Sequence, residues 1–365
     1  MGTGYGPRAA AQAARPVSLF APMVPAAPPT SPPGQVLRGH LALWMVQLCF
    51  GLFPVFVRFA YRGGFEARSI LAWRLVTGAL AFGLLALSLD RRGFARARAD
   101  WRPLLLCSLT GVALNQGLAL EGMVRSTALN AALIMTLIPV FTVAISAWMG
   151  VERLTPRRLL GLPVAFAGAA WAVLARFEGQ AASLGEHRLG NLMMATNCLL
   201  YAFYLVYSRR LLVRHRPEVL VAWIYLLALP FVPLALIGRS PLPEPSAGAS
   251  PWIGLGLILL FPTLMAYGLN TYALRRVPAS VTAIYIYLQP LVAGIGGAVA
   301  LGEEPPADLL FAGLLLFTGI ALATVRSGPR IAAPAASGLG LARPTARAAG
   351  EPANGVARAL RDERP

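Results

Sequence analysis

Apolar residues run through the chain in ten long blocks, at 41–60, 68–89, 102–121, 127–149, 158–175, 190–208, 219–238, 252–273, 279–301 and 307–325. A helix needs about 20 mostly apolar residues to cross the hydrocarbon layer. The blocks therefore predict an all-α integral membrane protein of ten transmembrane helices. They also repeat. A shift of 151 positions lays residues 41–175 on the second half, so that Leu137-Ile138-Pro139 falls on Leu288-Gln289-Pro290 and Gly117-Leu118 on Gly268-Leu269. The same shift lays Arg58 on Arg209, Arg125 on Arg276, Glu152 on Glu303 and Gly168 on Gly319. Six matches between residues 115 and 172 are neither Ala nor Leu, so shared richness in those two does not produce them. Five crossings is an odd number, so the second copy enters the bilayer from the opposite side. Inverted five-helix repeats of this kind are a mark of secondary transporters. The expected organisation is a tail at 1–40, a first repeat at 41–175, a connecting loop at 176–189, a second repeat at 190–326 and a tail at 327–365.

Polar and aromatic residues inside the blocks fall on helical stripes. Trp44, Gln47, Gly51 and Pro54 share a face of the first block; Asn197, Tyr201, Tyr204 and Ser208 share one of the sixth. Tyr267, Asn270 and Thr271 do so in the eighth, and Thr282, Tyr285 and Gln289 in the ninth, while Asn115 and Gln116 sit together in the third. Taken singly, each reads equally well as a tie to a neighbouring helix, a bond worth about 0.6 kcal/mol on average. Taken as stripes, they read as the lining of a cavity. The candidate substrate-binding set is Arg74, Asn115, Gln116, Asn197, Tyr201, Tyr204, Tyr267, Asn270, Tyr285 and Gln289. The second-half residues Tyr201, Tyr285 and Gln289 match Phe50, Ile134 and Ile138 of the first, so the lining is expected to come largely from helices six, eight and nine.

Two charges lie inside the blocks, Arg74 in the second and Glu121 near the outer end of the third. An arginine at mid-helix costs about 2.5 to 3.5 kcal/mol even on the lenient insertion scale. Two readings follow: an ion pair between Arg74 and Glu121, or an Arg74 that meets an anionic group of the substrate. Glu121 is also the one intramembrane carboxylate available for proton coupling. Glu152 and Glu303 sit in short turns past the fourth and ninth blocks, where a carboxylate favours the start of the next helix. Pro139 and Pro290, matched across the repeats, place equivalent kinks in those two blocks.

Composition then narrows the class. Hydrophobic residues make up 57% of the chain and charged ones 13%, too apolar a balance for a soluble protein of this length. The net charge of +17 comes from 32 arginines with no lysine. No Schiff-base lysine and no P-loop lysine can exist here. The charge reports orientation rather than nucleic acid. With the N-terminus inside, inner segments and tails carry 24 arginines and outer segments six, which places both termini in the cytoplasm. Cys49, Cys107 and Cys198 all fall inside blocks, and no histidine or cysteine cluster has metal-ligand spacing. Neither metal nor cofactor is expected. The Ala- and Pro-rich tails are expected to be disordered. The expected partners are a small-molecule substrate and the bilayer of the cell inner membrane, with a homodimer left open and nucleic acid absent.

These features together resemble the drug/metabolite transporter superfamily, specifically the EamA-type permeases. The residues that carry the resemblance are the early Arg of the second helix, Ala72-Trp73-Arg74, and the Pro of the fourth and ninth, each followed by Gly and Glu at the helix exit. Tyr267 in place of Gln116, and Val151 inserted between Gly150 and Glu152, depart from strict repetition. The resemblance implies a permease, not an enzyme, moving a small metabolite or drug-like molecule through a central cavity built by helices one to four and six to nine, with five and ten peripheral. A channel or receptor-like module and a lipid-modifying membrane enzyme are the alternatives. An enzyme of that kind calls for clustered carboxylates or a His-acid pair, neither of which the sequence offers.

Overall fold

The computed structural model describes residues 33–61, 64–126, 134–151, 155–176, 188–243, 248–301 and 309–324, and among them every regular element is helical. In chain order the α-helices are α1 (Pro33–Gly51), α2 (Phe53–Tyr61), α3 (Ala67–Ala97), α4 (Trp101–Ser108), α5 (Leu114–Val124), α6 (Leu137–Trp148), α7 (Pro156–Arg176) and α8 (Arg188–Leu212). There follow α9 (Pro217–Leu226), α10 (Phe231–Leu236), α11 (Ser250–Ile258), α12 (Ala266–Leu274), α13 (Ala279–Ile284), α14 (Gln289–Leu301) and α15 (Leu309–Thr324). Five stretches are long and apolar enough to cross a membrane: Gly34–Tyr61, Ala67–Val124, Arg188–Leu212, Ser250–Leu274 and Ala279–Ala300. The second of these holds 58 residues, enough for two crossings at about 20 each. Leu137–Trp148, Pro217–Leu226 and Gly313–Ala323 are shorter apolar helices. Large apolar side chains on the outside, such as Leu84 at 68% and Val299 at 83% exposed, fit a lipid surface and not water.

Several apolar blocks are broken where the chemistry of the backbone requires it. Pro54 has no N–H to give, so α1 stops at Gly51 and the chain restarts as α2 with the Leu52 carbonyl accepting from Val55 and Phe56. The helix after Ala67 outruns its apolar block, turns at Asp90 (φ −153°, ψ 64°) and continues because the Asp90 carboxylate accepts the Gly93 N–H at 2.8 Å. The seventh block splits into α9 and α10 around Pro230, and the ninth contains a 3₁₀ turn at Tyr285–Leu288.

The third and eighth blocks each contain a π-helical segment, Leu109–Ala113 and Leu259–Met265. These segments occupy corresponding places in the two repeats. Pro262 explains part of the second: it cannot donate to the Ile258 carbonyl, and the Thr263 hydroxyl reaches back to that oxygen at 2.8 Å instead.

Packing exchanges the halves. α5 lies against α8, as α12 lies against α1; α6 lies against α8, as α14 lies against α1; and α3 packs on its own counterpart α9. Glycines permit the close approaches. A Cβ at Gly161 would meet the Gly319 carbonyl at 2.7 Å, and one at Gly319 would meet the Ala165 backbone at 2.3 Å, which locks α7 against α15. Those two helices pack chiefly on each other, to one side of the remaining bundle.

Candidate functional site

The two π segments meet the deepest polar residues. The carbonyls of Gly111 and Pro262, inside these segments, each accept a side chain from the other repeat. The Tyr267 hydroxyl donates to Gly111 at 2.8 Å, and Arg74 Nη2 donates to Pro262 at 3.4 Å. Position 111 shifted by 151 is position 262, so the two accepting carbonyls are repeat-matched, while their donors, Tyr267 and Arg74, are not counterparts of each other. Gln116 and Tyr267 are repeat-matched as well, and they touch: Gln116 Nε2 donates to the Tyr267 oxygen at 2.9 Å and to the Tyr225 oxygen at 3.3 Å. Tyr225 is the counterpart of Arg74. Its ring stands edge-on to Tyr267, with centroids 5.4 Å apart, and lies at 5.6 Å from Phe82.

Arg74 is 4% exposed and lies over the Phe53 ring at 5.1 Å. Its Nε has no hydrogen-bond partner among the described residues, and neither has Gln116 Oε1. An arginine and an amide nearly sealed from solvent, each with an unspent polar atom, form a costly arrangement unless something else completes it. The ion pair between Arg74 and Glu121 does not form. Glu121 instead accepts Arg68 Nε at 2.7 Å and also pairs with Arg125 one turn on. Its carboxylate ties the start of α3 to the end of α5 and is spent there.

The remaining candidates divide into three groups. Asn115 and Asn197 clasp each other's backbones, Asn115 Nδ2 to the Asn197 carbonyl at 3.1 Å and Asn197 Nδ2 to the Asn115 carbonyl at 2.7 Å. Asn115 thus faces α8, while Gln116, one residue on, points to the centre. The corresponding crossing in the other half, Val46 against Ala266, is apolar. Tyr201, Tyr204 and Asn270 form a second polar layer: Asn270 donates to the Tyr201 oxygen at 3.2 Å, and the hydroxyls of Tyr204 and Thr271 lie 3.4 Å apart. Tyr285 and Gln289 turn toward α1, Tyr285 to His40 Nδ1 at 2.9 Å and Gln289 to Gln47 Oε1 at 2.8 Å. The centre accordingly draws on both halves, Arg74 and Gln116 from one and Tyr225 and Tyr267 from the other. Glu152 and Glu303 lie outside the described residues.

The 151-residue shift lays Tyr225 on Arg74, yet Tyr225 is outside the candidate set, as are Phe53 and the two carbonyls. The repeat itself carried the signal for Tyr225, since a mid-helix Arg in one copy marks its counterpart in the other.

Buried polar centre, apolar exterior and exchanged half-on-half packing define the class as a multi-pass helical membrane protein. Residues 37–174 and 188–325 each match the EamA-like transporter family, and the chain belongs to that family. An uncharacterized transporter of Archaeoglobus fulgidus is 27% identical over 250 residues, covering 67% of this chain and 83% of its own. A probable terminal-alkyne amino-acid exporter of Streptantibioticus cattleyicolor is 27% identical over 273 residues, covering 73% and 88%. A solved crystal structure aligns at a TM-score of 0.68 and 21% identity, over 80% of this chain and 97% of that one, a likeness of fold.

Proposed function

We propose that this membrane transporter is a secondary carrier of ten transmembrane helices in two inverted repeats, exporting a small metabolite across the cell inner membrane by alternating access, with both termini cytoplasmic. The observation that carries the reading is the polar centre, where the repeat-matched carbonyls of Gly111 and Pro262 each accept a side chain from the other repeat, Tyr267 and Arg74. A site shared in this way can open to one side or the other when one repeat rocks against its partner. The excess of arginine on segments assigned to the inside supports the orientation. The exporter named among the relatives favours the outward direction. The substrate site in this reading is Arg74, Gln116, Tyr225 and Tyr267, with Tyr201, Tyr204 and Asn270 in the adjoining layer. Asn115, Asn197, Tyr285 and Gln289 hold the helices around it.

The test is uptake of labelled amino acids and organic acids by proteoliposomes, with and without the same compound preloaded. A carrier gives saturable uptake accelerated by the preload. Uptake linear in concentration and indifferent to the preload describes a pore and overturns the proposal, as does no uptake of any compound in the set.

A further inference from the structure

We infer that Arg74 is the recognition residue for a carboxylate, and that the ligand is an organic monocarboxylate with an apolar or aromatic body. This rests on the carrier reading for its consequence but not for its chemistry. Arg74 is buried to 4% exposure and engages no carboxylate among the described residues; Glu121, the nearest intramembrane acid in sequence, belongs to Arg68 and Arg125. A guanidinium sealed in this way needs an anion, and one guanidinium is neutralised by one negative charge.

The free groups fit that anion in geometry as well. Nε has no partner and Nη2 has only the long 3.4 Å bond to the Pro262 carbonyl. Nε and Nη2 share the edge of the guanidinium that presents two parallel N–H groups, the fork that matches both oxygens of a carboxylate. Giving up a bond of 3.4 Å to Pro262 costs little. Tyr225 accepts from Gln116, and its own hydroxyl proton has no acceptor among the described residues, which supplies a third donor.

The surroundings describe the rest of the ligand. Phe53 lies beneath the guanidinium, and Phe82, Tyr225 and Tyr267 form a connected set of rings. An apolar or aromatic body suits these walls. A doubly charged phosphate does not: the second charge would need a second cation, and Arg74 is the one charged residue among the described buried side chains of this centre.

The experiment is thermal unfolding of the full chain in detergent with phenylacetate and hexanoate, their neutral isosteres phenylacetamide and hexanamide, and sodium chloride and sulfate at matched ionic strength. A ligand that binds the folded state raises the midpoint with concentration. The expected result is that both carboxylates raise it and that the amides need roughly ten- to hundred-fold higher concentration for the same shift, the worth of a charge-assisted pair. Arg74→Gln should erase the difference, and Tyr225→Phe should weaken the carboxylates roughly ten-fold while leaving the amides alone. Amides equal to carboxylates, chloride or sulfate equal to carboxylates, no shift with either carboxylate, or full discrimination in Arg74→Gln overturns the inference. If Arg74→Gln does not fold, the wild-type comparison and Tyr225→Phe decide. Carboxylate binding without counterflow would sink the carrier proposal alone; counterflow of neutral compounds without carboxylate binding would sink this inference alone.

Discussion

Asn115 and Asn197 show how little separates a binding residue from a structural one. Both are nearly sealed from solvent, yet each spends its amide on the other's backbone across the crossing of α5 and α8. Their counterparts under the repeat, Ala266 and Val46, make the same crossing with no polar atom. Asn115→Ala and Asn197→Ala should each lower stability by about 1 kcal/mol, near the upper half of what such bonds are worth in a membrane. The double replacement Asn115→Ala with Asn197→Val copies the apolar half and should recover part of the loss. Unfolding in mixed micelles, analysed as a double-mutant cycle with Asn197→Val as the second single replacement, reads the coupling; strictly additive losses would show that the clasp does nothing. Glycines give a sharper contrast. A Cβ at Gly78 would sit 2.3 Å from the Tyr225 ring and one at Gly111 2.5 Å from the Tyr204 ring, while one at Gly117 meets only Leu71 at 3.4 Å. Gly78→Ala and Gly111→Ala should each cost about 1 to 3 kcal/mol by overpacking. Gly117→Ala should be neutral or gain up to about 1 kcal/mol of helix propensity. The repeat-matched glycine is thus the dispensable one, which sequence matching could not have shown.

At the scale of elements, helix positions were legible because a run of about 20 apolar residues has few alternatives. Their internal breaks were legible only in part. Pro54 and Pro230 announce themselves, whereas a π segment adds a residue to a turn without altering the apolar pattern that periodicity reads. Leu109–Ala113 therefore leaves no mark in the sequence, and a proline such as Pro262 marks a lost donor without showing a widened turn. The cost of that omission was Gly111 and Pro262, whose carbonyls carry the exchange between halves. Asn115 and Gln116 were read as neighbours with one purpose, but a step of one residue turns the side chain by about 100°, enough to send them to different partners. If the π segments are weak points in the ladder, their amides and those one turn after them should exchange with deuterium faster than amides of α4 and α11. Equal protection along Trp101–Val124 would mean that the segments are as rigid as ordinary helix.

For the whole molecule, duplication supplies a frame in which each repeat packs by exchange on the other, and divergence supplies the chemistry. Where strict repetition would have placed identical groups at matched positions, the chain has Arg74 matched to Tyr225, and Gln116 matched to Tyr267, to which it donates. A charged, asymmetric centre results from a symmetric frame. The sequence showed the frame through its 151-residue period and the charge through Arg74. It did not show that Arg74 and Gln116 are left with unspent atoms, because that depends on which residues 100 or more positions away reach them. The most direct test is exchange flux through Arg74→Gln in proteoliposomes, measured with a compound the wild type carries and normalised to folded protein. The account predicts at least about a ten-fold loss of flux at near-normal folded yield, since about 1.4 kcal/mol of lost recognition already gives that factor. A well-folded Arg74→Gln with wild-type flux would contradict it.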